Sequence, residues 1–214
     1  MSTVKATLKP RKSAVQARSV ATVEALHTAT LQVLTQQGLV RCTTTRVAER
    51  AGMSVGSLYQ YYPNRDALLA AVLQKHLEWV ADAVELACGA HRHLPVAEMA
   101  SGLVKSLVAA KLRDQGVSKA LYSISAERGG AELVARINTR MVAVIAAMLE
   151  TAPDAHFDDP VLTAGISLSA IVGPVRTLLE GNASPAFEAG LEAQTTCLLR
   201  AYLQAHQHSI SRQV

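Results

Sequence analysis

Aromatic residues are scarce in this chain: they make up 4% of 214 residues, with one Trp and two Phe. Few rings beside abundant Ala and Leu argue against sheets, which lean on β-branched and aromatic side chains, and for helices packed on helices. Cysteine is scarce as well. Cys42, Cys88 and Cys197 stand far apart with no paired spacing, which excludes a disulfide framework and suits a reducing compartment. Redox sensing through Cys42 is conceivable, but a buried inert thiol is the preferred reading. No apolar run approaches the ~20 residues needed to span a bilayer. The N-terminal MSTVKATLKPRKS is basic with no apolar core behind it, unlike a secretory signal. A cytoplasmic protein without a membrane partner is therefore expected.

Catalytic signatures are also missing. There is no GxSxG elbow, no Gly-rich phosphate loop and no HExxH. His91 and His93 flank Arg92, and His206 and His208 flank Gln207. A spacing of two points helical side chains to different faces, and neither pair has a Cys or carboxylate at ligand spacing, so these read as surface histidines. No enzyme, metal or cofactor is expected.

Half of the residues are hydrophobic, enough for one core or for a small domain joined to a larger one. The net charge of +4 is distributed unevenly. Residues 1–66 carry nine Lys or Arg against Glu24, Glu49 and Asp66, whereas the rest carry twelve against fourteen acids. A basic head on a slightly acidic body suits a protein that meets nucleic acid at one end, although such a head could equally be a solubilising tail.

Within that head lies Thr43 to Arg65, TTTRVAERAGMSVGSLYQYYPNR. It reads as two short helices joined by a tight turn. Ala48 and Gly52, four apart, give a small residue where helices cross and a glycine for the sharp turn. Val47, Ala51 and Leu58 supply a shared core. Thr44, Thr45, Arg46, Val55, Ser57, Gln60 and Tyr61 fall on outer faces, with side chains suited to phosphates and base edges. Thr43 and Ser54 are N-caps for the two helices. The second helix, about Val55 to Tyr61, is two turns long and fits a major groove if its backbone can approach, which Gly56 permits.

The stretch resembles the DNA-binding segment of the TetR family of bacterial transcriptional repressors, over roughly residues 17 to 77. The resemblance rests on Thr43 to Thr45, VAERAGMS from Val47 to Ser54, GSLYQYY from Gly56 to Tyr62, and the RDALL that starts at Arg65. Tyr61 replaces the commoner His and Tyr62 the commoner Phe of the family's recognition helix end. The resemblance implies that Tyr59 and Tyr61 contact phosphates, with Val55, Ser57 and Gln60 nearest the bases. Thr44, Thr45, Arg46, Ser54, Gly56 and Arg65 complete the expected DNA-binding set. Tyr62 is expected in the core under the helix. Gln60 could pair bidentately with adenine, worth roughly 1 to 3 kcal/mol of discrimination.

Residues 1–16 read as a flexible basic arm around Pro10, either reaching along DNA or merely solvated. From Ala17 to Gln37, Val20, Val23, Leu26 or His27, Thr30, Leu31 and Leu34 recur at helical spacing, and Gly38 stops the helix. Pro63 ends the recognition helix and Asn64 caps the next. Arg65 there opposes the helix dipole, a conflict that a bound phosphate would remove. From Asp66 to about Gly89, Leu69, Val72, His76, Trp79, Ala83 and Leu86 trace one apolar stripe.

Further helices are punctuated by Gly89, Gly116, Gly129, Gly130 and Pro153. One covers 158–181, opened by Asp158, Asp159 and Pro160. The last runs from Ser184 to about Ala205. Both are apolar on more than one face, as helices with two faces to bury would be.

The whole reads as an all-α protein of about nine helices. The domains expected are an arm over 1–16, a three-helix helix-turn-helix DNA-binding domain over 17–77, and a helical effector-binding and dimerisation domain over 78–208. The resemblance implies a homodimer through the last two helices, with Leu162, Ile166, Leu178, Leu191 and Leu198 at the interface. It also implies a small apolar effector in the body. Trp79, Met99, Leu103, Tyr122, Met141, Ile145 and Met148 fall on inward stripes and could line such a cavity, or be ordinary core. Glu127, Arg128 or Arg140 could orient a polar group. The function expected is a repressor released from a palindromic double-stranded DNA operator. The alternatives are a constitutive DNA-binding protein whose body binds a protein or nothing, and an enzyme or carrier with a vestigial head.

Overall fold

The computed structural model describes residues 17–125 and 130–205. The basic arm 1–16, Glu127, Arg128, Gly129, His206 and His208 lie outside the described residues. Every regular element among the described residues is a helix: α1 (Ala17–Gln37), α2 (Thr44–Arg50), α3 (Val55–Tyr61), α4 (Arg65–Ala90), α5 (Val96–Leu112), α6 (Gln115–Ser125), α7 (Gly130–Leu149), α8 (Pro160–Leu179) and α9 (Pro185–Ala205). They form two compact units. The first holds α1, α2, α3, α4 as far as Leu77, and residues 116–135; the second holds α4 from Glu78, α5, and the chain from Arg136.

In the first unit, α1 buries Leu26, Ala29, Thr30, Val33 and Leu34, while Val20, expected on the same stripe, is 44% exposed. The buried stripe begins one to two turns later than the periodicity indicated. Val47, Ala48, Leu58 and Tyr62 close over that stripe. Each short helix is capped as its sequence requires: Thr43 Oγ1 accepts from the Arg46 N–H at 3.3 Å, and Ser54 Oγ accepts from the Ser57 N–H at 3.0 Å. Asn64 Oδ1 accepts from the Ala67 N–H at 2.8 Å and opens α4.

The turn between α2 and α3 depends on Gly52. Its φ is +69°, and the paired bonds from Gly52 N–H to Glu49 O and from Met53 N–H to Ala48 O close α2 in a Schellman motif. Ala48, the small residue expected at the helix crossing, is at 0% exposure.

In the second unit α5 packs on α8 and α9, which pack on each other. Arg200 of α9 donates to the Ala97 carbonyl and to Ser101 Oγ of α5. Ser106 Oγ donates to the Ala83 carbonyl at 3.0 Å. The α4–α5 turn is pinned by His93 N–H to Thr151 Oγ1 at 2.9 Å and by Val96 N–H to Asp154 Oδ1 at 3.0 Å. His91 is not the surface histidine expected. Its ring is half-buried, 2.8 Å from the Ala87 carbonyl, and rests where any Cβ at Gly102 would stand.

One further expectation is corrected. Leu86 is 78% exposed, so the apolar stripe of α4 does not extend to it. α8 has a mean hydropathy of 1.5, a value that the core helix of a compact unit also reaches. Here it packs in its own unit, with Ser167 buried and donating to the Thr163 carbonyl at 2.7 Å.

Replacing Gly52 by Ala puts a Cβ on a left-handed backbone without steric contact from neighbours. The variant is expected to lose roughly 1 kcal/mol or more of stability, read as a lower melting temperature; an unchanged melt would mean that the turn relaxes without strain.

Candidate nucleic-acid interface

The recognition face is built from the starts of α2 and α3. Thr44 Oγ1 and the Tyr59 hydroxyl are 3.2 Å apart, joining the first residue of α2 to the middle of α3. Ser54 and Ser57 hydroxyls lie 2.9 Å apart at the α3 N-terminus. Of the expected set, Thr45, Ser54, Gly56 and Gln60 are exposed, Tyr59 is 39% exposed, and Thr44, Val55, Ser57 and Tyr61 are half-buried. Leu58 at 0% exposure is the one buried residue of α3. Hydroxyls, one primary amide and a bare stretch of backbone are thus gathered on a single outward face, the mixture that phosphates and base edges require.

Gly56 has no internal reason to be glycine. A Cβ there would meet nothing nearer than Ser54 Oγ at 3.7 Å, ordinary contact distance. Its bareness leaves the α3 backbone open to approach from outside the chain.

Arg46 is exposed, as expected, and both arginines of the set have partners within the unit. Arg46 turns toward α1, with Nη1 donating to Gln37 Oε1 at 2.7 Å and to the Arg41 carbonyl at 3.4 Å. Arg50 Nε donates to Gln32 Oε1 at 2.6 Å. Together with Val33, Gln36, Gln37 and Glu49 they line an open groove of about 430 Å³ between α1 and α2. Arg50, Gln32 and Gln37 were not read from the sequence, although Arg46 and Arg50, four apart on one helix, carried the signal.

Arg65 is corrected. Its Nε donates to the Cys42 carbonyl at 2.7 Å and Nη2 to the Leu39 carbonyl at 2.6 Å, with Asp66 at 3.9 Å from Nη1. Main-chain oxygens of the α1–α2 loop relieve the dipole conflict that was assigned to a phosphate. Cys42 itself is 1% exposed, and burial pushes its thiol above the ordinary range against the opposite pull of Arg65, as an inert thiol requires.

In the second unit, Met99, Leu103, Met141, Ile145 and Met148 are each at most 4% exposed. Trp79 is half-buried, with the Arg113 guanidinium 5.0 Å from its ring centre. Tyr122 lies on α6 in the first unit, half-buried. Arg140 is exposed and paired with Asp82 and Glu85 of α4, so it is an ion-pair residue of the surface. Among the expected interface residues, Leu162 (61%), Ile166 (46%) and Leu198 (53%) are exposed and Leu178 is half-buried. Leu191 is 4% exposed and belongs to the interior. Periodicity could not tell which apolar face of α9 turns inward.

A short capped helix-turn-helix presenting an open polar face defines a DNA-binding protein. Residues 26–72 match the family model described as bacterial regulatory proteins, tetR family, and residues 95–203 that of the tetracyclin repressor-like C-terminal domain. The chain belongs to the TetR family of transcriptional regulators.

The HTH-type transcriptional regulator BetI 1 of Chromohalobacter salexigens is 28% identical over 119 residues, 52% of this chain and 56% of that protein. The match therefore spans about half the length of that curated relative. A TetR-family transcriptional regulator from Mesorhizobium loti has the same fold, with a TM-score of 0.75 at 18% identity over 90% of this chain and 100% of that one. The fatty acid degradation regulator FadR from Bacillus halodurans superposes with a TM-score of 0.66 at 16% identity, over 83% of this chain and 97% of its own. The multidrug binding protein EbrR, complexed with imidazole, gives 0.62 at 18% identity, over 85% and 94%.

Replacing Gly56 by Ala should leave the fold intact or raise its stability by roughly 0.5–1 kcal/mol, yet weaken binding to duplex DNA by tenfold or more. Undiminished DNA affinity would show that the backbone there is not approached. Separately, His27, buried and brought to about 4, is neutral in the fold but titrates near 6.5 when unfolded. The unfolded chain binds the extra proton, so its stabilising contribution, on the order of 3 kcal/mol, is present above pH 6.5 and is lost as pH falls toward 4. Denaturant melts of the wild-type protein and His27→Gln across that window should show the slope in the first and its loss in the second.

Proposed function

We propose that this TetR-family regulator is a cytoplasmic homodimeric repressor that binds a palindromic operator and is released by a small, largely apolar effector. The observation that carries it is the outward face of α3. Only Leu58 is interior, whereas Gln60, Tyr59 and the open backbone at Gly56 face away from the core. Residues 17–77 serve as the DNA-binding part and 78–208 as the effector and dimerisation part.

Thr44, Thr45, Ser54, Tyr59 and Tyr61 meet phosphates in this reading, while Val55, Ser57 and Gln60 address bases. Arg46 reaches a phosphate from its groove, and Arg65 acts by holding the loop that presents α2. Dimerisation is supported by Val161, Leu162, Ile166 and Leu198, large apolar side chains more than 40% exposed on α8 and α9, surface that a partner subunit would remove from water. A symmetric dimer reads a symmetric site, with half-site spacing set by the two recognition helices.

EbrR is described as a multidrug binding protein and FadR as a regulator of fatty acid degradation. By analogy, the second unit here takes an apolar molecule among Met99, Leu103, Met141, Ile145 and Met148, with Trp79 of the same unit at its margin. Effector binding acts through α4, whose residues belong to both units. A coupling of about 3 kcal/mol would lower operator affinity roughly 150-fold. A second reading, constitutive DNA binding by a body that takes a protein or no ligand, is favoured by the close burial of those same methionines.

Gln60→Ala tests the DNA reading: binding measured against every single-base variant of the preferred duplex should lose preference at one position per half-site, and an unaltered profile would remove Gln60 from base recognition. The dimer is tested by Leu162→Glu with Leu198→Glu. Sedimentation should give folded monomers, whereas Leu191→Ala should leave the dimer and lower stability by about 2–5 kcal/mol through a core cavity. An intact dimer in the double variant would place the interface elsewhere.

A further inference from the structure

The recognition helix has few interior anchors. Leu58 is its one buried residue, and Tyr62, its C-cap, follows four positions later at 2% exposure. The Tyr62 hydroxyl lies 2.7 Å from Nε2 of His27, which is 8% exposed on α1. The ring centroids are 6.0 Å apart and tilted by 37°. His27 Nδ1 is buried with no partner, so the imidazole's place rests on that single bond.

Nothing in the packing of three short helices calls for a histidine there. An apolar pair of similar volume would fill the space and leave no nitrogen unpaired, at little or no cost in stability. What an apolar contact lacks is direction. Leucine against phenylalanine tolerates sliding, whereas a hydrogen bond of this length tolerates little. The bond also sits at the tip of a long ring that projects from the end of α3. Fixing that tip resists rotation of α3 about its own axis, and rotation decides which way Val55, Ser57 and Gln60 point.

We propose that His27 is a positioning residue for sequence recognition: through its bond to Tyr62 it fixes the rotation of α3, and so the base that each outward side chain addresses, without touching DNA. The proposal rests on the reading that α3 reads operator bases. Both partners are neutral, His27 brought to about 4 and Tyr62 lifted to about 12 chiefly by burial, so neither salt nor pH near 7 should weaken the bond.

The test uses the full chain. A preferred duplex is first selected by the wild-type protein from a random pool. Affinities for that duplex, its single-base variants and an unrelated duplex are then compared among wild type, Tyr62→Phe, His27→Gln, and His27→Leu combined with Tyr62→Phe. The double substitution removes both polar partners and so keeps the fold, which a thermal melt checks. In the double variant the preference for the selected duplex over its single-base variants should fall about tenfold, while affinity for the unrelated duplex and its salt slope stay constant. His27→Gln, whose amide can still reach the hydroxyl, should keep most of the preference. An unchanged preference per folded molecule in the double variant overturns the proposal alone and leaves the pair a packing feature. If the wild-type protein enriches no duplex, the operator reading fails and the proposal with it.

Discussion

A helix of about two turns cannot sustain itself in water, since nucleation costs more than so few backbone bonds return. α3 is such a helix, and the first unit is arranged around its support. Leu58 and Tyr62 bury the inner face against α1, Ser54 caps one end, and Thr44 reaches across to Tyr59. Arg65 secures the loop before α2 through two carbonyls. Every one of these contacts is turned inward or sideways. The outward face is left to hydroxyls, an amide and bare backbone, and that division of labour is what the proposed DNA reading uses.

The second unit obeys a different constraint. Its helices are long and apolar, so stability does not depend on single caps, and the interior is filled by Met99, Leu103, Leu107, Ile145 and Leu199 at 2% exposure or less. Surplus apolar residues remain on α8 and α9, with Leu162 and Leu198 both more than half exposed. An excess of this kind is what a monomer avoids and a subunit of an assembly retains.

Much of this was legible from residue order. Caps at Thr43, Ser54 and Asn64, the glycine turn at Gly52, and the burial of Tyr62 all follow from local chemistry, and the bounds expected for α1, α3, α4, α8 and α9 differ from those observed by a residue or two. What failed was direction. Arg65 is a long side chain whose reach covers several partners, and sequence does not say that carbonyls of a loop more than twenty residues earlier come first. Leu191 and Leu198 look alike on a helix apolar on more than one face; only packing separates the interior one from the exposed one.

The central claim is that two such heads read one symmetric DNA sequence, and selection of binding sites from random duplex DNA with the purified full chain tests it most directly. The account predicts enrichment of an inverted repeat whose half-sites lie about one helical turn, or a multiple of it, apart. Enrichment of no sequence, or of an isolated half-site alone, would contradict it.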